Sequence, residues 1–214
     1  MANPLVSAGV KHLVWCACDV EGDRRARRSA MGLVRKALDR FFITPKLEFQ
    51  EKKVLSSLQN KVLGVSPFTI KSIKFAQPNV NSELDILPIP TNMIFFSPDE
   101  QGSSKLEQPI IGFAGRLDDP RKQPNLLFKS FAQIRKCGIN ASLHVTGSAT
   151  PELLTLAATH NISDHIQFLG RLSRDELKSF YQSLTLFLIP SEQEGLAIVG
   201  IEAMACGVPV ISTK

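Results

Sequence analysis

From residue 109 to the end of the chain, short apolar runs alternate with amphipathic helical patterns, and no other feature restricts the fold as strongly. PIIGFAG (109–115) has the length and continuous apolar character of a buried strand. NLLFKSFAQIRKC comes next, with Leu126, Leu127, Phe131 and Ile134 at helical period and Gly138 placed to end the helix. ASLHVTG is the next strand, after which Thr150 and Pro151 supply an N-cap and a first helical position. HIQFLG is a strand again, and Ser173 with Glu176 spells a capping box. LTLFLIP, a helix in IVGIEAMA that stops at Gly207 and Pro209, and a strand in VPVIST complete the series. Four β-α units and a closing strand predict a doubly wound parallel sheet with right-handed crossovers. In such sheets ligands bind beyond the carboxyl ends of the strands.

The N-terminal part is α/β as well, but short. KHLVWCACDV reads as a strand, and RRSAMGLVRKALDRFF as a helix with Met31, Val34, Leu38 and Phe41 on one face and Arg24, Arg28 and Arg35 on another. KVLGVS is a short strand, Ser66-Pro67 opens a helix through about Lys74, and DILPIP closes the part. Residues 91–108, mixing Ser, Pro, Gly and charges, read as a linker. The expected organisation is a partial α/β domain over 1–90, a linker over 91–108 and a nucleotide-type domain over 109–214, cut short at its C-terminal end.

Charge divides along the same line. Residues 1–74 hold 14 Lys/Arg against 6 Asp/Glu, and residues 75–214 hold 11 against 14. The basic surplus belongs to the N-terminal third, where DRRARR (23–28) suggests either a solvated helix entrance or contact with anionic membrane. No stacking aromatics interleave with that run, which argues against nucleic acid. The four cysteines lack paired metal-ligand spacing and are expected to be reduced. HLVWCAC is too short for a signal-peptide core, and no uncharged apolar run approaches the roughly 20 residues of a membrane span. A cytoplasmic protein, peripheral to a membrane at most, is the expectation.

Chemistry concentrates in EGLAIVGIE (194–202). A carboxylate at Glu202, inside an otherwise apolar helix, costs several kcal/mol unless something pairs with it. With the helix beginning at Gly195, Glu194 lies just ahead of it and Glu202 about two turns in, or ~11 Å along the axis. The free N–H groups near Gly195, Leu196 and Ala197 then offer an anion site at the helix N-terminus. Spacing leaves two readings open: a pair bordering one elongated ligand, or a capping glutamate plus a buried ion-paired one. GRLDDPRK adds Arg116 at a strand end and Lys122 six residues on, either a diphosphate site or ordinary loop charges. Asp118 and Asp119 read as solvated residues that help start the turn at Pro120. GFAGR lacks the third glycine of the dinucleotide fingerprint, and no phosphate-binding P-loop, serine elbow or His-Glu metal motif is present.

GFAGRLDDPRK, IQFLGRLSRDELKSFYQSLTLFLIPSEQEGLAIVGIEAMACGVPVIST and KVLGVSPFTIKSI together resemble the retaining glycosyltransferases of family 4, which have the GT-B fold. The resemblance covers nearly the whole chain and is specific from residue 109 onward. Glu194 and Glu202 match that family's E-x7-E signature. By resemblance, Glu202 accepts hydrogen bonds from the ribose hydroxyls of a nucleotide-sugar donor, and Glu194 lies near the donor hexose. Arg116 and Lys122 neutralise the diphosphate with help from backbone N–H groups at Gly195 and Leu196. Arg171 and Leu172 lie beside the base, and no metal or other cofactor is needed. The resemblance implies that a hexose is thereby transferred to a carbohydrate, lipid or other small acceptor with retained configuration. Two departures stand out: the first strands of the N-terminal domain are not seen, and the chain stops at VISTK before a glycine-rich loop. Ala197 also stands where many members have glycine. A truncated, non-catalytic nucleotide-binding or interaction module derived from such an enzyme is the alternative expectation.

Overall fold

The computed structural model describes residues 13–28, 31–56, 61–79, 82–99 and 108–213. The chain divides into two compact units, Met1–Pro90 with Gln193–Leu196, and Thr91–Glu192 with Ala197–Lys214.

In the first unit, β1 (Leu13–Cys16) leads into α1 (Val20–Arg28), α2 (Leu33–Leu38), a π-helical turn (Asp39–Ile43) and α3 (Thr44–Leu55). β2 (Lys61–Gly64), α4 (Pro67–Ala76) and β3 (Glu83–Ile86) come after them. The three strands form a parallel sheet in the order β1-β2-β3, with Leu13 opposite Lys61 and Lys61 opposite Glu83. Leu55, Val62 and Ile73 make its buried core, backed by Val14, Cys16 and Leu84. The start expected at Ser66-Pro67 is built as the sequence implies, with the Ser66 hydroxyl accepting from the Thr69 N–H.

The helix expected over RRSAMGLVRKALDRFF differs from that expectation. Residues 29 and 30 lie outside the described residues, α1 ends at Arg28, and α2 begins at Leu33. Its apolar face is turned outward: Leu33 is 87% exposed, and Val34, Leu38, Phe41 and Phe42 are exposed too. What is buried instead is Asp39, fully enclosed and contacted by Arg24, by Arg28 at 3.7 Å and by the Thr44 hydroxyl at 3.0 Å. A buried carboxylate must keep its cations, so Asp39 fixes the polar face of this helix against α1. The apolar stripe on the other side is left to solvent.

The second unit has the predicted alternation. β4 (Ile110–Phe113), α5 (Pro124–Lys136), β5 (Ser142–Val145), α6 (Pro151–Thr159), β6 (Ile166–Phe168), α7 (Arg174–Ser183), β7 (Leu186–Ile189), α8 (Ile198–Ala205) and β8 (Val210–Ser212) succeed one another. All strand pairs are parallel, in the order β6-β5-β4-β7-β8, so the chain reverses its direction of winding between β4 and β7. One face packs Phe113, Leu127, Phe128, Phe131, Leu143 and Val145; the other packs Phe180, Tyr181, Phe187, Ile189 and Ala203. Both halves of the Ser173–Glu176 capping box form, at 2.7 and 3.3 Å. Phe96, in the stretch read as a linker, is 3% exposed and stacks edge-on against Tyr181 at 5.9 Å. Residues 100–107 of that stretch lie outside the described residues.

Candidate functional site

The carboxyl ends of β4, β5 and β6 open into a cleft of about 550 Å³ in the second unit, lined by residues 114–118, 146–148, Thr150, 170–172, Leu177 and Val199. This is the side of a doubly wound sheet where ligands bind, next to the reversal between β4 and β7. The three loops close on one another through their backbones. The Gly115 N–H donates to the Thr146 hydroxyl at 2.9 Å, and Gly147 and Gly170 exchange bonds at 2.7 and 3.2 Å. Gly115 has φ of 148° and Gly147 of 96°, a region that glycine enters without strain. A Cβ on Gly147 would also sit 3.3 Å from the Gly115 carbonyl, tighter than ordinary contact. The floor is therefore bare backbone, which lets a ligand approach closely.

Arg116, Arg171 and Leu172 all line this cleft. The Arg116 side chain is 73% exposed and reaches Asp119 only at 3.5 Å. Lys122 is carried back by a short 3₁₀ turn (Pro120–Lys122), bringing its Cε within 3.8 Å of a Cβ built on Gly115. Arg116 and Lys122 are thus both placed near the end of β4, Arg116 lining the cleft and Lys122 beside Gly115. Asp119 corrects the sequence expectation. It is 5% exposed, caps the turn by accepting from the Arg121 N–H, and holds the Arg121 guanidinium at 2.7 Å. Asp118 is the solvated member of the pair. The sequence showed two adjacent aspartates, and nothing in DDPR signalled which would be enclosed.

The helix in the E-x7-E stretch begins later than its spacing suggested. α8 starts at Ile198 with Ala197 as its N-cap, so Glu202 is the fifth helical residue, about 6 Å along the axis instead of ~11 Å. Ala197 offers no side-chain cap and the first turn holds no acid, which leaves the N-terminus open to an anion. Val199 lines the cleft one turn before Glu202. The Glu202 carboxylate is half-buried; burial raises its pKa, opposed by a hydrogen bond from the Tyr181 hydroxyl at 3.0 Å and by the charge of Arg174. Tyr181 and Arg174 were not singled out from sequence. Their only signal was Tyr181 at helical spacing inside DELKSFYQS, where any aromatic looks like core.

Glu194, Gly195 and Leu196 belong to the contact set of the first unit. There the Gly195 carbonyl accepts from the Ser66 hydroxyl at 2.7 Å, and a Cβ on Gly195 would overlap the Ala17 carbonyl oxygen. Close backbone approach, not helix initiation, is what this glycine serves here. With its carbonyl drawn to Ser66, Gly195 is outside the α-helical ladder, which accounts for the later start of α8. Glu194 makes contacts of its own in the structure. Of the residues expected from sequence, Arg116, Lys122, Arg171, Leu172, Ala197 and Glu202 fall in the second unit.

Among solved structures, sucrose-phosphate synthase from Thermosynechococcus elongatus has a TM-score of 0.72 at 23% identity, covering 95% of this chain and 49% of that one. WaaG, a glycosyltransferase involved in lipopolysaccharide biosynthesis, has a TM-score of 0.71 at 18% identity, covering 94% and 55%. These likenesses, with the two parallel sheets, define an α/β protein of the GT-B type with Rossmann-like units. The family model for glycosyl transferases group 1 matches residues 97–214, more than half of the chain. The chain belongs to that family. D-inositol 3-phosphate glycosyltransferase of Mycolicibacterium smegmatis is 30% identical over 140 residues, 61% of this chain and 32% of that protein. The Nocardia farcinica protein of the same name is 24% identical over 180 residues, covering 77% and 40%. The chain spans about a third of the length of the curated relatives it matches.

Proposed function

We propose that the second unit binds a nucleotide-diphosphate sugar and serves transfer of its hexose to an acceptor hydroxyl with retained anomeric configuration. The observation that carries this is the glycine-floored cleft with Arg116 and Arg171 on its rim, Lys122 beside Gly115 and the uncapped start of α8 next to it. In the reaction, the anomeric C–O bond to the diphosphate breaks, a new C–O bond to the acceptor oxygen forms on the same face, and the acceptor's hydroxyl proton passes to the departing diphosphate. Negative charge collects on the departing diphosphate. Cations at Arg116 and Lys122 and the N–H groups at Ala197 and beyond stabilise that charge without a metal. Glu202 accepts from ribose hydroxyls, and Arg171 and Leu172 flank the base. Glu194, Gly195 and Leu196 are assigned to the hexose and diphosphate by the family resemblance alone.

Calorimetric titration with UDP, GDP and ADP tests the reading. One nucleotide is expected to bind, with Arg116→Ala and Glu202→Ala each weakening it by about 10-fold or more, the loss of one charge-assisted contact. Absence of binding to all three by the folded chain overturns the reading. Binding without turnover, in the presence of donor and candidate acceptors, favours a non-catalytic nucleotide-binding module.

The anionic-membrane contact expected at Arg24 to Arg28 would rest on different residues. Arg24 and Arg28 contact Asp39, Arg28 also meets Glu21, and Arg27 meets Asp23, so most of that run is engaged within the fold. Arg25, Lys36 and Arg40, with Arg28 and Glu21, line a groove of about 590 Å³ together with Leu33 and Phe41. Exposed aromatic and aliphatic side chains edged by cations suit the surface of an anionic bilayer, and contact there is part of the proposal.

A further inference from the structure

We infer that Tyr181 is a positioning residue for the donor site: it holds one oxygen of the Glu202 carboxylate so that the other is presented to a hydroxyl of the bound nucleotide. The inference rests on the donor reading above and adds a residue to it. Tyr181 lies in α7, fully buried, and its ring is clamped by Phe96 at 5.9 Å, Phe180 at 5.6 Å and Phe187 at 5.6 Å. Such a ring has no freedom to swing, so its hydroxyl is a fixed donor. That hydroxyl donates to Glu202 Oε2, and among the described residues no other group hydrogen-bonds this carboxylate. Each of the two residues lies one turn beyond a side chain that lines the cleft, Tyr181 beyond Leu177 and Glu202 beyond Val199.

Two groups around the carboxylate matter for its charge: Tyr181 and Arg174, both from α7, favour the ionised form. Burial pushes the tyrosine pKa up, and Cys206, at the C-terminal end of α8, raises it further, so the phenol remains a donor throughout the physiological range. Arg174 is itself held over the Phe95 ring at 4.4 Å, which keeps its charge on this side of the unit. An ionised, oriented carboxylate is what a hydroxyl pair on a ligand needs as acceptor. A protonated or rotating one accepts poorly.

Tyr181→Phe keeps the ring and removes the one hydrogen bond, so packing is preserved. The full chain, unmodified and with Tyr181→Phe, is titrated with UDP, GDP and ADP and with the 2′,3′-dideoxy form of each, over about pH 5 to 8. Tyr181→Phe is expected to weaken the ribonucleotide about 10-fold, the scale of a hydrogen bond to a charged group, and to leave the dideoxy form unchanged. Its loss of binding on the acid side moves to higher pH, because the bond that lowers the Glu202 pKa is gone. Equal weakening of both forms, or an unchanged acid limb, makes Tyr181 a packing residue and overturns the inference. If the unmodified chain binds no nucleotide, the donor reading itself fails. Carbon-13 titration of the Glu202 carboxyl then decides separately. A higher pKa in Tyr181→Phe supports the tyrosine's hold on the carboxylate, and an unchanged one overturns it.

Discussion

At the scale of single residues, neighbours in sequence have opposite environments, and Asp118 and Asp119 show how far that goes. Asp119 is enclosed and receives the Arg121 backbone N–H, its Nε and its Nη2, while Asp118 stands in solvent. Removing one partner of an enclosed pair leaves the other charge without compensation and costs roughly 3 kcal/mol or more. Asp119→Ala is therefore expected to lower the unfolding midpoint of the second unit by several degrees, and Asp118→Ala to leave it within error. Scanning calorimetry on both variants checks this, and equal effects would refute the distinction. The pair also sets the end of β4, because it anchors the turn that returns Lys122 to Gly115. Loss of Asp119 should then weaken nucleotide binding as well, although Asp119 does not line the cleft.

At the scale of elements, what was legible depended on whether a pattern had one physical solution. LTLFLIP and PIIGFAG are continuous apolar runs too short for helices, while Thr150 and Ser173 are N-cap residues ahead of helical patterns; each became the element expected. The helix of α2 and its π turn was legible as amphipathic, but periodicity does not say which face is covered. Asp39, a lone acid among cations in the sequence, decided that by taking Arg24 and Arg28 inward. The start of α8 was misplaced by three residues for a similar reason: Gly195 looks like a helix junction until Ser66 and Ala17 are seen to claim its backbone. The outward stripe of α2 leads to a prediction at this scale. Sedimentation with phosphatidylglycerol–phosphatidylcholine vesicles should capture the chain at low salt, and Phe41→Ser with Phe42→Ser should reduce capture at least about 10-fold, since inserting each phenyl ring is worth about 2 kcal/mol. Capture should fall with added salt, because Arg25, Lys36 and Arg40 supply the attraction. Equal capture by neutral vesicles would sink the electrostatic part. Self-association abolished by the same substitutions would assign the stripe to a second copy of the chain.

At the scale of the whole molecule, the two units differ in what holds them. The second unit has an apolar core on each face of a five-stranded sheet, whereas in the first, among the described residues, Leu55, Val62 and Ile73 form the packed cluster and Ala26, Leu63 and Val65 are buried besides. The first also encloses charge. Glu51 accepts from the Val20 N–H at 3.0 Å, yet burial, with the charges of Asp19 and Glu48, pushes its pKa from 4.5 up to about 7. The Cys16 thiol beside it is pushed up to about 11, by burial and then by the charge of Glu51. An acid whose pKa is higher in the folded than in the unfolded chain stabilises the fold fully below pH 4.5, and that contribution is lost as pH rises through about 7. A shift of this size corresponds to about 3 kcal/mol, which solvent contact of a half-buried carboxylate reduces to about 1–2 kcal/mol. That is a noticeable share of the stability of a single domain. The first unit is therefore expected to unfold at lower temperature at pH 8 than at pH 5, with the second unit changing less. Glu51→Gln should remove most of the difference by replacing the ionising group with a neutral one that can still accept from Val20. Calorimetry at the two pH values, on the unmodified chain and the variant, decides it. An identical pH dependence in both would mean that another group, and not Glu51, controls how the first unit responds to pH.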